Sequence, residues 1–409
     1  MEQLEGKTPR RTPRKVLLVS HEYAPYIGGV ATYAQELARA ASEQGYRVEV
    51  FCASHGAPTA RQQESPMLTV TRFPGGIFWA ARDLLRLAWR LRAKLAEGYD
   101  IVHGVEIGAQ MALQLLARTA GLPRPFFLSV HGTEVLLYQN RRYRWLMRDV
   151  FRRAAHTIAG SHFTAGLVRR FDPDLEPTRL SVVYYGLARR WLECQPESAH
   201  GNVRERLGIV PDTFLILTVA RLVPRKGHLF VIRGLATLRP EIRDRMAYVV
   251  AGSGLETYAR ALTAEAIRLG VRLVMVGRVD DHELPAYYRA ADLFALLADP
   301  DAPDVEGFGL AVIEAASQGL PSIGANIGGI PEAVLHEEAG LVVDPRDSNA
   351  VGKAVERLYR DRDQLRRFGA AARQRAATFS WHRTASLTYT AFEHALSDKD
   401  HSRPAEECG

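Results

Sequence analysis

Phe214-Leu215-Ile216-Leu217-Thr218-Val219-Ala220 runs straight into Arg221-Leu222-Val223-Pro224-Arg225-Lys226-Gly227. The first seven residues are apolar or β-branched at successive positions, without the alternation of a strand that has one wet face. Such a run predicts a parallel strand covered by helices on both sides. Ligands of open parallel sheets bind beyond the C-terminal strand ends, which is where the following loop stands. Arg221 can bridge two phosphate oxygens through its fork, and Lys226 can add a compact second charge. The pair would offset the charge of a diphosphate leaving group without a metal. Arg225 is expected to face solvent.

The same type of strand recurs along the chain. Lys15–Ser20, Val48–Ala53, Leu68–Phe73, Ile101–Val105, Phe126–His131, Thr157–Ser161 and Ser181–Tyr185 form one series. Tyr248–Ala251, Arg272–Val276, Leu293–Leu297, Pro321–Gly324 and Leu341–Val343 continue a second series begun by Phe214–Ala220. Helical patterns separate them, and Arg189–Arg204 is the best linker between the series. The expected fold class is α/β, with two doubly wound, Rossmann-like domains facing across a cleft. Residues 14–195 form the first domain and 203–378 the second. Residues 379–396 are a last helix crossing back to the first domain, and 1–13 and 397–409 are expected to be disordered tails.

Composition limits the function classes. The chain has 409 residues, with 47% hydrophobic and 24% charged, as in an ordinary globular protein of two domains. No apolar run is long enough to span a bilayer, and Cys52, Cys194 and Cys408 show no metal spacing. A reducing cytoplasm is the expected location. Residues 1–200 hold 27 Lys and Arg against 18 Asp and Glu, and the remainder 26 against 28. The excess gathers at Arg82, Arg86, Arg90, Arg92 and Lys94 and at Arg141, Arg142, Arg144, Arg148, Arg152 and Arg153. Phe78, Trp79, Trp89, Trp145 and Phe151 lie among them. An anionic membrane surface and a pair of solvated helix faces are the two readings. No nucleic-acid motif accompanies the charge.

Several loops after strands could carry chemistry. In Asp304-Val305-Glu306-Gly307-Phe308-Gly309-Leu310-Ala311-Val312-Ile313-Glu314, two carboxylates flank a Gly-Phe-Gly hinge. A helix starting near Phe308 would offer backbone N–H groups to a phosphate or sugar hydroxyl, with Glu306 and Glu314 as acceptors. A plain capped turn is the alternative. Gly28-Gly29-Val30 opens a helix near Ala31 and lets backbone approach an anion; a structural turn fits equally. His131-Gly132 ends a strand, where imidazole can donate to a hydroxyl or help orient an acceptor, although a lone histidine is more often structural. Gly252-Ser253-Gly254 and Gly277-Arg278-Val279-Asp280 end two further strands. Asp172-Pro-Asp174 and Asp299-Pro-Asp301 resemble a metal-binding Asp-x-Asp, but both sit in proline-broken loops, so no metal site is expected.

Together these residues resemble the retaining glycosyltransferases of family four, which have the GT-B fold. The resemblance runs from Lys15 to His382 and is strongest in the second half. Glu306 and Glu314 match a Glu-x7-Glu motif, and Arg221 to Gly227 match a Gly-Arg-Leu…Lys-Gly loop with Ala220 replacing its glycine. Gly28-Gly29-Val30, His131-Gly132, Gly252-Ser253-Gly254 and Gly328-Gly329-Ile330-Pro331-Glu332 agree in order and spacing. The resemblance implies that Glu306 and the backbone of Gly307, Phe308, Gly309 and Leu310 hold a donor sugar, and that Glu314 takes the ribose. Arg221 and Lys226 would bind the diphosphate, approached by Gly29, with Ser253 and Gly254 lining the same cleft. Arg278 and Val279 would lie against the base, and His131 against the sugar. Two departures stand out: Tyr184-Tyr185-Gly186 replaces a usual Asn-Gly, and Glu134 replaces a common Asp.

The resemblance implies a metal-independent, retaining hexosyltransferase that needs no cofactor beyond its nucleotide-diphosphate sugar. Its acceptor would be lipid-linked or a saccharide. Similarity to phosphatidylinositol mannosyltransferase-type and polysaccharide-biosynthesis enzymes points to mannose from GDP-mannose, with the basic first domain at the inner membrane face. A nucleotide-sugar 2-epimerase of the same architecture and a non-catalytic nucleotide-sugar binder are the competing readings.

Overall fold

The computed structural model describes residues 13–75, 81–119, 122, 125–137, 141–192 and 202–401. The first sheet comprises β1 (Lys15–Ser20), β2 (Arg47–Ala53), β3 (Arg61–Ser65), β4 (Leu68–Phe73), β5 (Ile101–Gly104), β6 (Phe126–Val130), β7 (His156–Ala159) and β8 (Leu180–Val182). Its order is β3-β4-β2-β1-β5-β6-β7-β8, parallel except at the antiparallel β3–β4 pair. The second comprises β9 (Phe214–Val219), β10 (Met246–Ala251), β11 (Leu273–Gly277), β12 (Leu293–Leu296), β13 (Ser322–Ala325) and β14 (Gly340–Val343). It is parallel throughout, in the order β11-β10-β9-β12-β13-β14.

All thirteen strands expected from apolar runs are present, with ends shifted by one to three residues. The unexpected one is β3, whose Arg-Gln-Gln-Glu-Ser sequence is polar and largely exposed. An edge strand needs only backbone pairing on one side, so it leaves no apolar signature. Strand order reverses between β1 and β5 in one sheet and between β9 and β12 in the other. Both reversals open a crevice at the C-terminal strand ends, and the two crevices face each other.

The last helix, Trp381–His401, crosses back onto the first domain. There Phe392 stacks on Phe127 at 4.4 Å and Tyr389 lies 5.0 Å from Tyr46. Trp381, Tyr389 and Phe392 are buried, and each such side chain contributes roughly 1.5–3 kcal/mol. The helix outruns the expected end at residue 396, because Ser397 to His401 contain no proline or glycine to stop it. The rest of the expected C-terminal tail, nearly all of the N-terminal one, and residues 193–201 of the expected linker lie outside the described residues. So do Phe78, Trp79, Cys194 and Cys408. Among the described residues no helix is long and apolar enough to cross a membrane.

Six helices of the first domain bear on the site: α1 (Gly29–Glu43), α2 (Ala81–Leu95), α3 (Ile107–Thr119), α4 (Thr133–Leu137), α5 (Arg141–Arg153) and α6 (His162–Phe171). Three of the described α5 arginines are turned onto the end of α6 instead of forming a free basic surface. Arg144 and Arg148 donate to the Phe171 carbonyl, and Arg152 forks onto Asp172 at 2.6 and 2.7 Å. They cap the C-terminus of α6, where unpaired carbonyls concentrate. Lys94 is likewise buried, 2.5 Å from Glu49 and 2.8 Å from Glu97.

Candidate active site

The second-domain half of the site is the loop after β9. Leu222 bridges to Gly254 beyond β10, and Pro224–Lys226 form one 3-10 turn. Gly227 closes the turn at φ 71°, where a Cβ would run into the Leu297 carbonyl. Only glycine fits, so the loop is pinned under the end of β12 with Arg225 and Lys226 turned toward Glu306. Arg225 therefore does not face solvent. Its Nε lies 2.8 Å from Asp304 and its Nη1 2.9 Å from Glu306, and Lys226 pairs with the same Glu306 oxygen. Burial raises the Glu306 carboxyl, but Lys226 and Arg225 outweigh it and hold the group below its ordinary range.

Beyond Glu306 the helix begins at Leu310, later than expected, because Gly309 adopts φ 92° and breaks the turn. Phe308 is buried, stacked on Tyr184 at 5.1 Å. Gly307 passes so close to the His131 carbonyl that a Cβ there would collide with it. Glu314 accepts from the buried Tyr288 hydroxyl at 3.1 Å.

The first-domain half comes from the ends of β1, β5 and β6. Glu106 caps α3 through the Gly108 and Ala109 N–H groups and accepts from the His21 N–H. Glu22 faces the cleft; burial and the nearby Glu106 raise its carboxyl to about 7, while Arg221 from the other domain pulls it down. His131 Nε2 lies 3.0 Å from the Val105 carbonyl, and Nδ1 lies 2.5 Å from the Tyr185 hydroxyl. Burial lowers the imidazole to about 4. Both ring nitrogens are engaged, so the expected free donor toward a hydroxyl is not there. Glu134, raised to about 7 by burial, accepts from the His131 N–H at 2.5 Å and holds the strand end.

Between the halves lies a cavity of about 220 Å³. Gly29, His131, Lys226, Glu306, Gly307, Phe308, Gly309 and Leu310 line it, together with Tyr185. Eight of the expected site residues thus meet in one space. Arg221, Ser253, Gly254, Arg278, Val279 and Glu314 are not among its lining and stand at neighbouring strand ends or on the helix behind. Helix α1 starts at Gly29 with Gly28 extended before it, two residues earlier than expected.

The domains are joined beside this cavity. Glu332, in the helix Ile330–Val334, accepts from the His162 and Phe163 N–H groups at 2.8 and 2.7 Å and from the Tyr184 hydroxyl at 3.0 Å. Ser161 donates to the Gly307 carbonyl at 2.6 Å. No motif in the sequence marks Arg225, Tyr185 or Ser161 as holding the site. The only signal for Tyr185 was its departure from the usual Asn. Of the two Asp-x-Asp loops, Arg152 holds Asp172 and Asp174, and Arg346 pairs with Asp301.

Known proteins share this plan. A family model described as Glycosyltransferase Family 4 matches residues 27–188, and one described as Glycosyl transferases group 1 matches residues 201–375. A GDP-mannose-dependent alpha-(1-6)-phosphatidylinositol monomannoside mannosyltransferase of Mycobacterium tuberculosis is 32% identical over 88% of this chain and 93% of its own length. A D-inositol 3-phosphate glycosyltransferase of Salinispora tropica is 28% identical over 96% and 88%. Among solved structures, sucrose-phosphate synthase from Thermosynechococcus elongatus matches with a TM-score of 0.78 at 21% identity, covering 94% of this chain and all of that one. Anabaena HepE in complex with UDP and glucose matches at 0.74 and 21% identity, over 93% and 100%. These structural likenesses confirm the two-domain GT-B fold. The chain belongs to glycosyltransferase family 4.

Proposed function

We propose that the protein is a retaining, metal-independent hexosyltransferase. In this reading it moves mannose from GDP-mannose to a lipid-linked or saccharide acceptor. The observation that carries the reading is the pairing of Lys226 with Glu306 in the wall of the interdomain cavity, with Arg225 behind them. A cavity of about 220 Å³ is smaller than the roughly 300–1,000 Å³ of whole-ligand pockets. It suits the sugar, with the nucleotide extending along the second-domain strand ends.

Each residue then has a role. Lys226 and Arg221 bind the diphosphate, with Gly29 and the N-terminus of α1 approaching it from the first domain. Glu306 and the backbone of Gly307, Phe308, Gly309 and Leu310 hold the sugar hydroxyls, and Glu314 holds the ribose. Ser253 and Gly254 line the donor path, and Arg278 and Val279 meet the base. His131 walls the sugar with its ring, its nitrogens being engaged. The acceptor oxygen bonds to the anomeric carbon on the face from which the diphosphate departs. The bond from that carbon to the phosphate oxygen breaks, and the same oxygen takes the acceptor proton. Cations that bind the diphosphate more strongly as its charge develops lower the barrier. With their charge in place, no metal ion is required.

The activities of the relatives support a nucleotide-sugar donor and favour GDP-mannose. On the outer face of α2, Leu85 and Trp89 are 61% and 74% exposed, and Arg82, Arg86 and Arg92 share that face. An apolar ridge between arginines fits an anionic membrane surface, which would place the enzyme peripherally at the inner face.

The test is a thermal-shift panel with GDP, UDP, ADP and dTDP, with and without Mg²⁺. A ligand at a hundred times its Kd adds about 2.7 kcal/mol of stability. A shift with GDP that ignores Mg²⁺ is expected. A shift that requires the metal, or none with any nucleotide, would overturn the reading. Product anomeric configuration by NMR then decides retention.

A further inference from the structure

Arg225 sits between two carboxylates, and only 14% of its side chain is exposed. Its Nε meets Asp304 at 2.8 Å and its Nη1 meets Glu306 Oε2 at 2.9 Å. Lys226 bonds that same Oε2. Two cations therefore converge on one oxygen, with Asp304 completing a neutral quartet. The two cations are held differently. Arg225 spans both carboxylates, and its carbonyl accepts the Asp299 N–H at 2.9 Å. Among the described residues the Lys226 ammonium hydrogen-bonds Glu306 alone. Lys226 also lines the cavity, whereas Arg225 lies behind it.

This asymmetry separates a cation that can leave from one that stays. A diphosphate entering the cavity competes for Lys226. Once Lys226 turns to it, Glu306 keeps only Arg225. The other groups facing Glu306 cannot replace the lost charge. Tyr185, from the loop after β8, has its hydroxyl bound to His131, and His131 is neutral. A buried carboxylate left without a cation takes up a proton rather than stay charged. A protonated Glu306 would be a poorer acceptor for a sugar hydroxyl.

We propose that Arg225 is the positioning residue of the donor site, keeping the Glu306 carboxylate in place and charged after Lys226 leaves it for the diphosphate. The proposal rests on the reading of Lys226 and Glu306 given under Proposed function. A guanidinium suits the task because its planar fork spans two carboxylates and does not deprotonate.

The experiment is calorimetric binding of GDP and of UDP at pH 7 in buffers of low and high ionisation enthalpy, which counts the protons taken up. The native protein is expected to bind one of the two with no net uptake. Arg225→Gln is expected to bind it about tenfold more weakly and to take up about one proton. Arg225→Lys keeps a charge but cannot bridge both carboxylates. Its proton count should stay near zero while KM for the matching nucleotide sugar rises about tenfold. If Arg225→Gln does not fold, that KM carries the test. Native proton counts in Arg225→Gln, or a native KM in Arg225→Lys, would overturn the proposal and leave the diphosphate site standing. If the native protein binds neither nucleotide, or Lys226→Ala binds as tightly as native, the reading beneath it falls as well.

Discussion

The Tyr185 hydroxyl lies 2.5 Å from His131 Nδ1, while the Val105 carbonyl lies 3.0 Å from Nε2 on the far side of the ring. A carbonyl can only accept, so Nε2 carries the proton and Nδ1 receives the Tyr185 O–H. This fixes the tautomer and occupies the nitrogen that a general base would need. It also gives the Tyr-for-Asn departure a local purpose. Gly160 leaves room for the Tyr185 ring, which any Cβ at that position would strike.

His131 should therefore stay neutral throughout the working range. Its 15N imidazole signals are expected to be constant from pH 8 to pH 5. In Tyr185→Phe the Nδ1 signal should move to that of a free lone pair, at a stability cost of about 0.5–1.5 kcal/mol. A His131 that titrates between pH 6 and 7 would contradict this arrangement.

Lys226→Ala removes the only cation the proposed mechanism places in the cavity wall. Arg225 still neutralises Glu306, so the fold should survive. The expected loss in kcat is about 10²–10³-fold, as for removal of one charge-stabilising donor. Turnover within threefold of native, with a native circular dichroism spectrum, would rule out the leaving-group role.

Glu332 accepts three hydrogen bonds from the first domain. In Glu332→Ala the His162 and Phe163 N–H groups lose their partner at the start of α6. The expected destabilisation is about 1–3 kcal/mol. Small-angle scattering should show a larger radius of gyration than native, because this contact closes the domains beside the cavity. An unchanged radius would mean that the remaining interdomain contacts suffice.

Stability should respond to acid in two stages. Burial holds the imidazoles of His103, His131 and His228 at about 3, 4 and 4, and the carboxyls of Glu22 and Glu134 at about 7. The histidines take up protons near pH 6.5 only when unfolded, so each loses stability as pH falls below that value. The two glutamates bind protons near pH 7 only when folded, so each gains stability down to about pH 4.3. Burial also lowers the imidazole of His156, so the histidines outnumber the two glutamates and stability falls between about pH 6.5 and 4.5, more steeply below it. Tm measured from pH 7 to pH 4 should show this break. A steep fall starting at pH 6.5 would show that the two carboxyls do not hold their protons.

The α2 face gives a prediction separable from catalysis. Leu85→Ala with Trp89→Ala should abolish co-sedimentation with vesicles containing phosphatidylserine, while turnover on a soluble acceptor stays native. Retained binding would move the membrane contact elsewhere.

By itself the sequence determined the two series of strands, because a parallel strand buried on both faces requires an unbroken apolar run. It also located the loops that follow them, but not the φ of 92° at Gly309 that delays the helix there. From those came the fold class and the eight residues that meet in the cavity. It could not reveal β3, whose pairing is made by backbone alone. Nor could it reveal that Arg225 turns inward, that Tyr185 holds His131, or that Glu332 caps α6. Those partners are 81, 54 and 170 residues apart. Folding of each sheet within its own domain brings the first two pairs within hydrogen-bond reach, and only the packing of one domain against the other brings the third; no local periodicity encodes those distances.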